Sequence, residues 1–209
     1  MPSNTYENAA EKNKPATIRV LFIAESPLLA SGRYFYLEES KHGDWLWVAL
    51  MKALYGPEWK GTKEERRRKP YWLKRFQSSG FFLIDAVKEP TSSSSRKRMA
   101  QITSAAPDLI REVMSIGPKQ IVLIKATVHH ALFQTFEDQG LPVCNKGVLP
   151  FPSSGRAARF AEGFRNLMPH LQMAMAQGYR SNPHFRPIEI RGEPLSTTVL
   201  RDRSRNCRS

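Results

Sequence analysis

The chain has 209 residues, 41% of them hydrophobic, which is enough for one domain with a real core. Lys and Arg number 32 against 19 acids, a net charge of +13, so the surface should attract a polyanion, nucleic acid being the commonest. No apolar run nears a membrane span, and two distant cysteines, Cys144 and Cys207, cannot build a four-cysteine cluster or a paired-Cys zinc site.

The polar start MPSNTYENAAEKNKPAT has no apolar signal core, so a reducing cytoplasm is the expected compartment, and residues 1–16 read as disordered. Ile18 to Ala24, IRVLFIA, reads as a buried strand. DWLWVALMKALYG reads as a helix with Asp44 as its N-cap and Gly56 after its end; Trp45 and Trp47 read as core residues that, two apart, cannot fully share one face. In KGTKEERRRKPYWLKRFQSSG the charged start reads as a surface loop or helix end, RRRK as a solvated basic run, and YWLKRF as a short helix. FFLIDAV, Phe81 to Val87, is the second strand and KEPTSSSSRKR a polar loop. The helix text that follows ends at PDLIREVMSIG, where Pro107 suits a first turn and Gly117 a C-cap. KQIVLIKA is the third strand. TVHHALFQTFEDQG is a helix closed by Gly140, with His129 and His130 as packing or surface residues. VCNKGVLPF holds a fourth strand, and Ser153 or Ser154 caps a long final helix. Residues 177–209 read as an extended segment and a basic tail carrying Arg201, Arg203, Arg205 and Arg208.

Strands alternating with helices predict a single α/β domain over residues 17–176. Its expected form is three layers, α/β/α, around a central four-stranded parallel sheet. Such sheets gather ligands beyond the carboxyl ends of their strands. Glu25, Asp85, Lys125 and the turn PFPSSGR all fall along that edge.

These residues also carry a family resemblance. AESP…SGRYFY resembles the first motif of the uracil-DNA glycosylase superfamily, written G-Q-D-P-Y-H, G-E-A-P-G or G-I-N-P-G. Aligned on Pro27, Ala24 takes the Gly position, Glu25 the Gln or Glu position and Ser26 the Asp, Ala or Asn position. Gly32, Arg33, Tyr34 and Phe35 resemble a later G-R-P-F segment, whose Phe stacks on the flipped base. In FLIDAVKEP, Asp85 falls at the family's base-reading Asn. IVLIKATVHHALF resembles the third strand and helix, with Lys125 where the family ends its strand in Gly. LPFPSSGR resembles the last motif, H-P-S-P: Phe151 stands at the His, Pro152 and Ser153 match, and Ser154 replaces the second Pro. The four elements occur in family order over about residues 18–173.

The resemblance implies a metal-independent, cofactor-free hydrolase that cleaves the N-glycosidic bond of a flipped, damaged or modified base, with DNA as partner. It assigns Glu25 and Asp85 to catalysis. Ala24, Ser26, Phe35, Asp85 and Phe151 surround the base. Arg33, Ser153, Ser154 and Arg156 meet the nucleic acid, and Lys125, at its strand end, is placed to touch either a phosphate or a base oxygen. The chemistry agrees, because this cleavage builds positive charge on the sugar and negative charge on the base. It therefore calls for a carboxylate, a donor, an aromatic to stack on and polar groups to read an edge. An ionised Asp85 offers acceptors only, so it suits a donor-rich edge such as guanine's better than uracil, unless its pKa is strongly raised.

The departures shape the alternatives. Phe151 removes the motif's donor to the leaving base, Ser26 removes the water-activating acid of one branch, and the cysteine count rules out the iron–sulfur cluster of another. A non-catalytic nucleobase- or nucleic-acid-binding module of the same fold is the competing expectation. An unrelated nucleotide-binding α/β protein is disfavoured, since no Gly-rich phosphate loop follows a strand.

Overall fold

Three apolar runs form the sheet. In a computed structural model that describes residues 3–27, 34–38, 44–89, 94–153 and 155–176, they are β1 (Val20–Ala24), β2 (Phe81–Asp85) and β3 (Gln120–Leu123). The expectations for residues 177–209, and for Arg33 and Ser154, lie outside the described residues. β1 is central and pairs parallel with both neighbours in the order β2-β1-β3, with Ala24 opposite Asp85 and Ile23 opposite Leu123. Every residue of β1 is buried, so helices must cover both faces of the sheet.

Seven helices are present among the described residues: α1 (Ser3–Lys12), α2 (Trp45–Tyr55), α3 (Lys63–Arg67), α4 (Lys69–Ser78), α5 (Ser95–Ile116), α6 (Ala126–Asp138) and α7 (Ala157–Ala176). On one face of β1, Phe22 stacks on Phe76 of α4 and Phe164 of α7, and meets Phe81 edge-on. α5 and α6 pack on each other. At the outer edge of β2, the Tyr36 hydroxyl accepts from Leu83 N at 2.6 Å and donates to Leu83 O at 3.0 Å. A buried phenol thus takes the place of a neighbouring strand there.

The expected caps at α2 and α5 are in place. Asp44 accepts from Trp47 N, and Gly117 closes α5 at φ 60° by donating to Val113 O. Trp47 is buried, while Trp45 is 60% exposed.

Four expectations are corrected. Residues 1–16 were expected to be disordered, yet Ser3–Lys12 is helical. Gln77 fastens its end by donating to the carbonyls of Lys12 and Lys14, and Tyr6 meets Tyr34 edge-on at 4.8 Å. Pro107 lies inside α5, not in a first turn. Ile102, Ala106, Leu109 and Val113 form one buried stripe at helical spacing, which carries the helix through the proline. The last helix begins at Ala157 rather than at Ser153 or Ser154, because Gly155 at φ 76° and a Ser153 O to Arg156 N bond make a turn first.

The fourth correction concerns the sheet, which has three strands, not four. Val143 and Leu149 make only isolated parallel bridges to Ile121 and Ile124. Between them, the buried Asn145 side chain does a strand's work. Its Oδ1 accepts from Leu123 N at 2.9 Å, and its Nδ2 donates to Leu123 O at 3.0 Å and Gly147 O at 3.1 Å. An amide satisfies both backbone groups, so the chain is released to form the turn through Gly147. Asn145→Ala should leave both Leu123 groups unpaired. The expected loss is about 2–6 kcal/mol in urea denaturation, from about 1–3 kcal/mol for each of the two buried unsatisfied groups.

Candidate active site at the carboxyl edge of the sheet

Backbone pairing continues past the strand ends and sets the site. Ala86 N donates to Ala24 O at 2.8 Å and Val87 N to Glu25 O at 3.1 Å, which brings Glu25 level with the end of β2. On the other side Ile124 N donates to Ile23 O at 2.9 Å, and Lys125 N to Leu149 O at 2.8 Å. The ends of three strands thus present Glu25, Asp85 and Lys125 on one edge, and the segment after Leu149 delivers Phe151 beside Lys125.

Glu25 is buried, and its carboxylate is closely held. Lys125 Nζ donates to Oε1 at 2.6 Å, the Thr127 hydroxyl donates to Oε2, and the Arg98 guanidinium stands 3.3 Å from Oε1. Burying a carboxylate costs several kcal/mol unless it is paired and hydrogen-bonded, and here one acid meets two cations and a hydroxyl. Among the described residues, two cations thus stand against this one carboxylate.

Lys125 has φ 87° and ψ 143°, the only positive φ on a non-glycine among the described residues. That conformation is open to glycine and costs an L-residue on the order of 1–3 kcal/mol. The strained backbone aims the side chain inward. Its Nζ reaches Glu25 and lies 5.9 Å from the centre of the Phe151 ring.

Asp85 lines a cleft of about 580 Å³ along the edge of β2, together with Pro27, Tyr34, Tyr6, Glu7 and Lys88. Burial pushes its carboxyl up to about 7; Lys88 opposes this, and Asp44 and Glu25 add to it. Near neutrality the group is therefore shared between an acceptor-only carboxylate and a carboxylic acid with one donor.

The remaining expected residues are distributed unevenly. Ala24 is buried and serves through its carbonyl, while Ser26, Phe151 and Ser153 are half-buried. Arg156 is exposed at the start of α7. Phe35, expected to stack on a base, is buried in the core against Phe76 at 5.2 Å and Tyr36 at 5.0 Å; the half-buried Tyr34 lines the cleft beside Tyr6 and Phe82. His129 is buried, with Nε2 3.2 Å from Asn145 O and its ring stacked on Phe133, while His130 is exposed. Arg98 and Thr127 were not anticipated. Arg98 sat in text that read as a loop, and only its place in the first turn of α5 brings it to Glu25. The signal for Thr127 was its spacing, two residues after Lys125 at a helix start.

Among the described residues no group of three His, Cys, Asp or Glu is placed to hold a metal ion, and no helix is long and apolar enough to cross a membrane. A search of curated proteins found no match. A family model described as the uracil DNA glycosylase superfamily matches residues 11–185.

Proposed function

The chain belongs to the uracil DNA glycosylase superfamily, and from that membership we propose that it hydrolyses the N-glycosidic bond of a flipped, damaged or modified base in DNA. The observation that carries this reading is Glu25, clamped by Lys125, Arg98 and Thr127 at the end of the central strand, one residue beyond Ala24, which pairs with Asp85. As the bond between C1′ and the base breaks, its electron pair leaves with the base. Glu25 faces the positive charge left on the sugar and orients the water that adds to C1′. Asp85 reads the base edge from the cleft, and Tyr34 supplies the aromatic surface there. The test is a panel of oligonucleotides, each with one altered base, incubated with the full chain and then cleaved with alkali at abasic sites. Strand breaks at one or more altered bases support the reading; none at any of them overturns it.

A binding module of the same fold is the second reading, and Phe151 at the motif's His position favours it. Such a module would retain an altered oligonucleotide without producing abasic sites.

Either reading requires salt-sensitive binding, given a net charge of +13. Each neutralised phosphate adds a slope of about −0.9 in log affinity against log salt on duplex DNA, about −0.7 on single strands. Deleting residues 201–209, with four arginines against one acid, should flatten the slope without altering base preference in a fluorescence titration. An unchanged slope would remove the tail from the interface.

A further inference from the structure

Building on the glycosylase reading, we infer that Lys125 is the catalytic group that stabilises the departing base, in place of the imidazole that Phe151 lacks. Heterolysis of the bond leaves an anion delocalised onto the base's oxygen. That oxygen needs a donor, and a cation serves better than a neutral group. The residue at the motif position, Phe151, can supply neither. Lys125 Nζ lies in front of that ring, 5.9 Å from its centre, on a strand end tied to the same segment through Leu149 O.

Three observations separate this role from others. First, an ammonium has three donors. Among the described residues Lys125 spends one, on Glu25. Second, a purely structural partner for Glu25 is not required from this position, because Arg98 and Thr127 already approach the carboxylate from α5 and α6. Third, the backbone at Lys125 adopts a conformation suited to glycine, so the side chain is kept there against the local preference of the chain. A role in gripping phosphate fits less well, since the amine stands 2.6 Å from a carboxylate that repels phosphate oxygens.

The charge balance points the same way. Among the described residues, two cations, Lys125 and Arg98, flank the one carboxylate of Glu25, which leaves positive charge at Lys125 for a developing anion. Lys125 therefore holds the leaving base while Glu25 serves the sugar. Water adds to C1′ and gives up a proton, and the base anion takes one from solvent, so overall one water is consumed and neutral base released.

The experiment compares single-turnover release of the best base of the panel with its halogenated, better-leaving analogue, uracil and 5-fluorouracil being the first pair. Lys125→Met should slow the poorer leaving group on the order of 10²-fold and the better one by less than about 10-fold. Lys125→Arg should retain most of the rate. Lys125→Gly, which suits the backbone, should be as slow as the Met variant, with the relief of backbone strain offsetting part of the stability lost with the ion pair to Glu25. Equal slowing of both bases in the Met and Gly variants, with the wild type active, would overturn the role of Lys125 alone. A wild type that releases no base from the panel would sink the glycosylase reading and this inference with it.

Discussion

Replacing Glu25 by Gln is expected to reduce single-turnover base release on the order of 10²-fold or more while leaving DNA affinity nearly unchanged. Misplacing or removing a group that serves the charge at the reacting centre costs at least this much. Affinity depends on phosphate contacts, which Glu25 does not make in this reading. Gln also presents an amide N–H₂ toward a site framed by Lys125 and Arg98, a donor among donors. A loss of stability should accompany the change, because two cations lose their counter-charge. Both keep some access to water, Lys125 30% and Arg98 18%, so the loss should fall below the about 3–5 kcal/mol of a fully buried pair. Urea denaturation at a fixed pH measures it. Turnover like the wild type's in Glu25→Gln would remove this carboxylate from the mechanism.

Asp85 should make base preference depend on pH. Below about 7 its carboxyl carries a proton and offers one donor and one acceptor, matching uracil's O4 and N3–H. Above about 7 it offers acceptors only and meets O4 as like against like. Uracil release should therefore be favoured on the acid side and fall toward tenfold per pH unit on the alkaline side. A guanine-like, donor-rich edge should follow the opposite course. Asp85→Asn, neutral at every pH, should flatten the uracil profile and exceed the wild type above about 7. The same carboxyl ties stability to pH. Its pKa rises from 3.8 to about 7 on folding, so across that window the folded form holds a proton that the unfolded form has released. Its contribution is complete below about 3.8 and is lost as pH rises through about 7; Asp85→Asn should remove that slope from urea midpoints. A flat wild-type profile for uracil would take Asp85 out of base reading.

The edge of the sheet was legible because its determinants are local. Runs such as VLFIA and FFLID bury both faces, and the residues that leave them, Glu25 and Asp85, follow directly from where those runs stop. What escaped was decided by tertiary contact. Arg98 reaches Glu25 only because α5 begins well before the apolar stripe that announces it. α1 has no apolar run of its own and depends on Gln77 and Tyr34. The fourth strand looked sound because VCNKGVLPF has strand-like composition, and composition does not reveal that the Asn145 side chain will pair with Leu123. Phe35 fell at a motif position, but the space around Phe76 claimed its ring.

The double bond of Tyr36 to Leu83 acts as a strut. Two residues before it along the chain stands Tyr34, and two residues after Leu83 stands Asp85; both line the cleft. Tyr34 and Asp85 are thus braced on one crosspiece. If the cleft receives a base, as the glycosylase reading has it, this wall is already set by folding, and little ordering of it would remain to oppose binding. In the glycosylase reading, the hydrogen-bond pattern offered by Asp85 would then act within a wall of fixed outline, so that shape and pairing would select together.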